Sequence, residues 1–221
     1  MKHFIRELGK LKKSILELGT LVEEQVYKTL QAIISFDKDL AEQIIKNDIE
    51  IDEMEVEIEE ECLKILALHQ PVAVDLRFIV AVIKINNDLE RIGDMTVNIA
   101  YRLKTIAKQV PCDFIYDYTT MAEKAKYMLN KSLDSLVNMD IDLAHKVCTL
   151  DDEVDEIKVD AYNKITQAMK MNSEHIPYLV NHFLISRHLE RIADHSTNIA
   201  EEVIYLIEGE IIRHDGPLPE K

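Results

Sequence analysis

The sequence predicts an all-α fold made of two tandem, pseudo-symmetric three-helix bundles, with six long helices in total. Three observations carry this. Only 5 glycines and 5 prolines punctuate 221 residues, of which 47% are hydrophobic; few breakers and much Leu, Ile, Glu and Lys favour long helices. Residues 88–100 read D-L-E-R-I-G-D-M-T-V-N-I-A and residues 188–200 read H-L-E-R-I-A-D-H-S-T-N-I-A, identical at eight of thirteen positions. The likeness extends upstream, where Asp37-x-Asp39-Leu40-Ala41 matches Asp140-x-Asp142-Leu143-Ala144 at an offset of 103. A repeat on that scale marks two copies of one supersecondary unit. Three amphipathic helices joined by short turns form an up-down-up bundle.

The periodicity predicts helices at about 3–35, 38–68, 71–108, 112–138, 140–170 and 174–209. Asp37 and Asp140 offer N-caps for the second and fifth. Pro71 suits the first turn of the third, where its missing N–H costs nothing. Pro111 divides the halves, and Gly209 and Gly216-Pro217 end the last helix and begin a tail. The bundles are thus expected over 1–110 and 111–209, with a tail at 210–221. The final helices of the halves match at an offset of 100, so the second hairpin turn is three residues shorter.

Net charge is −15. Such a surface repels nucleic acid and anionic lipid and attracts cations and basic protein patches; its plain alternative is a solubilising role. Cys62, Cys112 and Cys148 are odd in number and lack zinc spacing, which suits a reducing cytoplasm. The start has no apolar core for a signal peptide. No apolar run approaches the roughly 20 residues of a membrane span, and the stretch from Phe78 to Ile85 is broken by Lys84. Direct membrane insertion is therefore not expected.

The third helix carries two stripes. Leu89, Ile92, Thr96, Ile99 and Leu103 form a core face, and Glu90, Asp94 and Asn98 form a row at i, i+4, i+8. The second helix has its own row, Asp48, Asp52, Glu55 and Glu59. In an antiparallel hairpin, residues equidistant from the turn lie level. The pairs 48/94 and 52/90 are both centred on residue 71, and the pairs 151/194 and 155/190 are both centred between Asn172 and Ser173. Asp48, Asp52, Glu90 and Asp94 thus share one height, as do Asp151, Asp155, Glu190 and Asp194. Four level carboxylates repel one another without a cation, and oxygen ligands suit Mg, Mn, Ca or iron. The alternative is that Arg91, Arg191 or nearby lysines neutralise the rows as surface ion pairs, which are individually worth little.

Residues 89–100, their copy at 189–200, and Q-P-V-A-V-D-L-R at 70–77 resemble the PhoU family of phosphate-transport regulators from the first helix to about residue 209. The resemblance implies a cytoplasmic pair of three-helix bundles, often a homodimer. It implies repression of phosphate-starvation signalling through the ATPase subunit of the phosphate ABC transporter and the phosphate sensor histidine kinase, without catalysis. It also implies metal clusters on motifs that fall on Asp48/Asp52, Glu90/Asp94, Asp151/Asp155 and Glu190/Asp194. Iron is the ion expected, with Zn, Mn, Mg and Ca as alternatives. The chain departs from the pattern in its second half. Residues 172–178 read N-S-E-H-I-P-Y, Lys158 stands where the first half has Glu55, and Tyr162 where it has Glu59. The second cluster should therefore be smaller or weaker; Ala193 for Gly93 is a minor change.

His175, His182, His188 and His195 crowd the last helix. His188 and His195 correspond to Asp88 and Met95, so they lie outside the shared motif. They read as packing or interface residues, with auxiliary ligation in the second half as the alternative. Asp75 and Arg77 are expected to form a local cap and ion pair. No P-loop, nucleophile elbow or kinase motif is present. Three functional classes follow: a metal-carrying signalling adaptor, a metal-dependent (di-iron-like) enzyme, and a metal-free helical scaffold.

Overall fold

The computed structural model describes residues 2–110, 112–114 and 116–210. Pro111 and Gly216-Pro217, read above as boundary signals, lie outside the described residues. Among the described residues there are six α-helices and no strand: α1 (Lys2–Ser35), α2 (Lys38–His69), α3 (Ala73–Ile106), α4 (Thr119–Asn138), α5 (Ile141–Met171) and α6 (Ile176–Glu208). A 3₁₀ turn, Ser173–His175, precedes α6. None of these helices is long and apolar enough to cross a membrane.

The breaks follow local chemistry. Asp37 Oδ1 accepts from the backbone N–H groups of Asp39 and Leu40, and Asp140 Oδ1 from that of Leu143. Both caps stand as expected. Gly209 ends α6 at φ 82, a conformation glycine adopts freely. Its missing Cβ also gives the Arg77 guanidinium its room, since a Cβ there would lie 1.8 Å from Nη1. Arg77 therefore reaches across to the end of α6 rather than pairing with Asp75.

Two helix starts differ from expectation. The α2–α3 reversal is made by left-handed residues, Gln70 at φ 45 and Ala73 at φ 52, with Val72 extended between. Pro71 thus sits in the turn, and α3 begins two residues later. Residues 112–114 and 116–118 are not helical, and α4 begins only at Thr119, whose N–H bonds Asp117 Oδ1.

The peripheral helices α2 and α5 bury narrow seams. In α2 the seam is Ile44, Ile51, Ile58 and Ile65, seven apart. In α5 the same positions, 103 later, are Val147, Val154, Ala161 and Ala168. One apolar residue per two turns leaves the flanks of each seam to polar side chains. The central helices α3 and α6 bury far wider faces, including Leu89, Ile92 and Ile99 and their equivalents Leu189, Ile192 and Ile199.

The bundles join through α3 against α6, with α1 against α4 beside them. His195 Nδ1 lies 2.8 Å from Asp88 Oδ1, and Asn198 Nδ2 donates to the same oxygen at 3.1 Å. His188 Nδ1 lies 3.3 Å from the Met95 sulphur. Residues 88 and 188 are repeat equivalents, as are 95 and 195. The two contacts are therefore one contact seen twice, related by a pseudo-two-fold axis between the helices. The histidines read as packing or interface residues belong here. His188 and His195 knit the bundles together, His182 is fully buried inside the second, and half-buried His175 lies 3.7 Å from Glu174.

Candidate metal centre

In the first half, α2 supplies Asp48 and Asp52 and α3 supplies Glu90 and Asp94. The hairpin register brings them together. Burial raises the Asp48 carboxyl to about 6; a hydrogen bond from Gln25 opposes the rise, and Asp52 and Asp94 add to it. Burial and then Asp94 raise Asp52. Burial raises Glu90, with Asp94, Asp52 and Glu55 contributing against Arg91. The rows are therefore not solvated surface stripes; Asp48, Glu90 and Asp94 are half-buried and mutually repelling.

Arg91 answers part of this charge. Its Nη1 lies 3.0 Å from Asp94 Oδ2 and its Nε 3.3 Å from Glu90 Oε2. A guanidinium this exposed (46%) supplies a weak surface pair. Glu90 Oε2 stays buried without an aligned hydrogen bond. Gly93 gives Asp48 its space, since a Cβ there would lie 3.0 Å from Asp48 Oδ1.

Sequence reasoning missed Gln25. It lies on the buried stripe of α1 and donates from Nε2 to Asp48 Oδ1 at 2.8 Å and to Thr96 Oγ1 at 3.0 Å. A glutamine among Leu18, Val22 and Val26 was the available signal. We expect Gln25→Leu to cost about 1.5–3 kcal/mol, because it strips a partly buried carboxylate of its amide donor. Chemical denaturation at neutral pH in a chelator measures this; a loss below about 0.5 kcal/mol would mean that solvent already satisfies Asp48.

In the second half, α5 supplies Asp151 and Asp155 and α6 supplies Glu190 and Asp194. Burial, with Glu190, Asp151 and Asp155, raises Asp194 to about 6. Burial and Asp155 raise Asp151, which accepts from Thr197 Oγ1 at 3.4 Å. Here the cluster contains a cation: Lys158 Nζ donates to Glu190 and lies 3.3 Å from Asp155 Oδ1. The first-half counterpart, Glu55, is instead another acid, raised by burial, Glu59 and Asp52.

Among the described residues, no group of three or more His, Cys, Asp or Glu side chains is placed so that it could hold an ion as it stands. The donor chemistry still fits a hard cation in the first half. Several half-buried carboxylates lie near one another there, the buried Glu90 Oε2 has an ion pair with Arg91 but no hydrogen bond, and among the described residues the basic group on them is that exposed arginine.

Comparison with known proteins gives the same outline. The family model for the PhoU domain matches twice, over residues 15–103 and 118–203. A Clostridium acetobutylicum protein described as a phosphate-specific transport system accessory protein PhoU homolog is 37% identical over 209 residues, spanning 94% of this chain and 95% of the relative. An Aquifex aeolicus protein of the same description is 39% identical over 214 residues, spanning 97% and 96%. The crystal structure of PhoU from Pseudomonas aeruginosa aligns with a TM-score of 0.90 at 36% identity, covering 94% of this chain and 100% of that one. That of the phosphate transport system regulatory protein PhoU from Streptococcus pneumoniae aligns at 0.82 and 32% identity, covering 94% and 98%.

Proposed function

This chain belongs to the PhoU family, and from that premise we propose that it is a cytoplasmic accessory protein of phosphate uptake that negatively regulates the phosphate-starvation response. It acts by contact rather than by catalysis, on the ATPase subunit of the phosphate ABC transporter and on the phosphate sensor histidine kinase, and it works as a homodimer. The observation that supports this best is the extent of the likeness. Both repeats match the domain, and relatives described as accessory or regulatory proteins align over nearly the whole chain. Its charge of −15 suits encounters with basic patches.

The protein carries metal on the carboxylate rows. Asp48, Asp52, Glu90 and Asp94 would hold it in the first half; Asp151, Asp155, Glu190 and Asp194 are the equivalent set in the second. Iron is the ion we expect, with Zn, Mn, Mg or Ca as alternatives. When bound it supplies positive charge to a face that otherwise repels itself. The donor chemistry of the first cluster supports this part of the reading.

Deleting the gene should derepress phosphate-starvation genes while phosphate is plentiful, as a transcript assay would show. Pull-down should recover the transporter ATPase or the sensor kinase, less efficiently as salt rises. Normal repression in the deletion strain, together with no capture of either partner, would reject the proposal.

A further inference from the structure

We propose that the second half of this chain has replaced its bound cation with one of its own: the Lys158 ammonium, set on Glu190 and Asp155, does for that cluster what an external ion does for the first, so metal is taken up at the first cluster alone. The single-site claim rests on the metal reading above. The role of Lys158 as resident counter-cation does not.

The two clusters share a backbone scaffold but differ at the positions that decide charge and space. Position 55 holds a glutamate, whose Oε1 lies 3.3 Å from Asn86 Nδ2 and whose charge adds to Asp52 and Glu90. Its equivalent, Lys158, turns its Nζ onto the matching carboxylates. One turn further on, exposed Glu59 becomes Tyr162, whose ring packs edge-on to Phe183 at 5.8 Å. Gly93, which makes room beside Asp48, becomes buried Ala193. Gln25, the donor to Asp48, corresponds at the 103-residue offset to fully buried Met128. Each of these changes removes acid, space or the amide donor from the second cluster, and one inserts a cation among its oxygens; in the other direction, Thr197 in place of Val97 gives Asp151 a hydroxyl donor. An ammonium already hydrogen-bonded there must be displaced before an ion can bind. In the first cluster the counter-charge is Arg91, which pairs along its own helix with Glu90 and Asp94 from the exposed side, whereas Lys158 bridges Asp155 of α5 to Glu190 of α6.

The test is a reciprocal exchange in the full chain, stripped with EDTA and then dialysed against Mn²⁺. Wild-type protein should bind Mn²⁺ at a level that Glu90→Ala/Asp94→Ala abolishes and Glu190→Ala/Asp194→Ala leaves unchanged. Lys158→Glu should roughly double the bound Mn²⁺. It should also lower the melting temperature in EDTA by about 2–4 °C, the shift expected for about 1 kcal/mol in a chain of this size, with recovery on adding Mn²⁺. Glu55→Lys should do the reverse, raising the melting temperature in EDTA and lowering Mn²⁺ affinity at least tenfold. Loss of half the metal in the second-half double variant would overturn the single-site claim. If wild type binds no Mn²⁺, the metal reading fails and takes that claim with it. The counter-cation role is judged separately: the milder Lys158→Gln should melt lower in EDTA, and an unchanged melting temperature would overturn it.

Discussion

Between about pH 6.5 and 4 the wild-type protein will lose on the order of 3 kcal/mol of stability relative to a His182→Leu variant. His182 has no exposed surface. Rings of Tyr178, Tyr118, Phe114 and Phe36 surround it at 4.7–6.3 Å. Burial lowers its pKa from 6.5 to about 4. Between those values the unfolded chain holds a proton that the folded chain refuses, so the contribution of His182 is full above 6.5 and is lost as the pH approaches 4. Burial lowers His188 to about 4 as well, which adds to the loss, while Asp48 and Asp194, raised to about 6, act the other way, because the native state protonates them first. The reading is therefore the difference between wild type and His182→Leu across pH 8 to 4, from denaturant melts. Parallel curves would mean that His182 gains access to water in the native ensemble. The substitution should cost little at pH 8. The Tyr118 hydroxyl lies 3.0 Å from His182 Nδ1 and already donates to the His182 backbone carbonyl at 2.8 Å, which remains.

The second large effect concerns Leu89 and Leu189, equivalent residues of the repeated motif and both fully buried. Truncating either to alanine should cost about 2–5 kcal/mol. Both variants should shift one and the same cooperative transition, because α3 and α6 each form the core of their own bundle and also pack along each other. Calorimetry reads this directly. Two separable transitions, each moved by only one of the variants, would show that the bundles unfold independently.

The level carboxylates were legible in the sequence because helix geometry is rigid. Once a hairpin is inferred, pairs such as 48/94 and 52/90 follow from counting alone. The turn that centres them was less legible. Pro71 signals a helix start, but the reversal was made by left-handed Gln70 and Ala73, neither a residue type that advertises such a conformation. Ahead of α4 the composition allows helix, but residues 116–118 leave that course, with Tyr116 and Tyr118 buried. The site was legible only as far as two helices define it. Gln25 enters from α1, outside the hairpin whose register was counted. Lys158 was visible as a lost acid, but its place depends on a side chain crossing from α5 to α6, which no spacing rule encodes.

The pseudo-two-fold contact between α3 and α6 bears on how a duplicated protein keeps its halves apart. Two unaltered first repeats packed in this way would set Asp88 against Met95 twice, burying a carboxylate beside a thioether on both sides of the axis. Histidine at 188 and 195 turns one of those meetings into an Asp88–His195 pair and the other into a His188–Met95 contact. Each repeat is thereby a better mate for its sibling than for a copy of itself. Divergence at two positions made the symmetry heterotypic and gave each half one proper address.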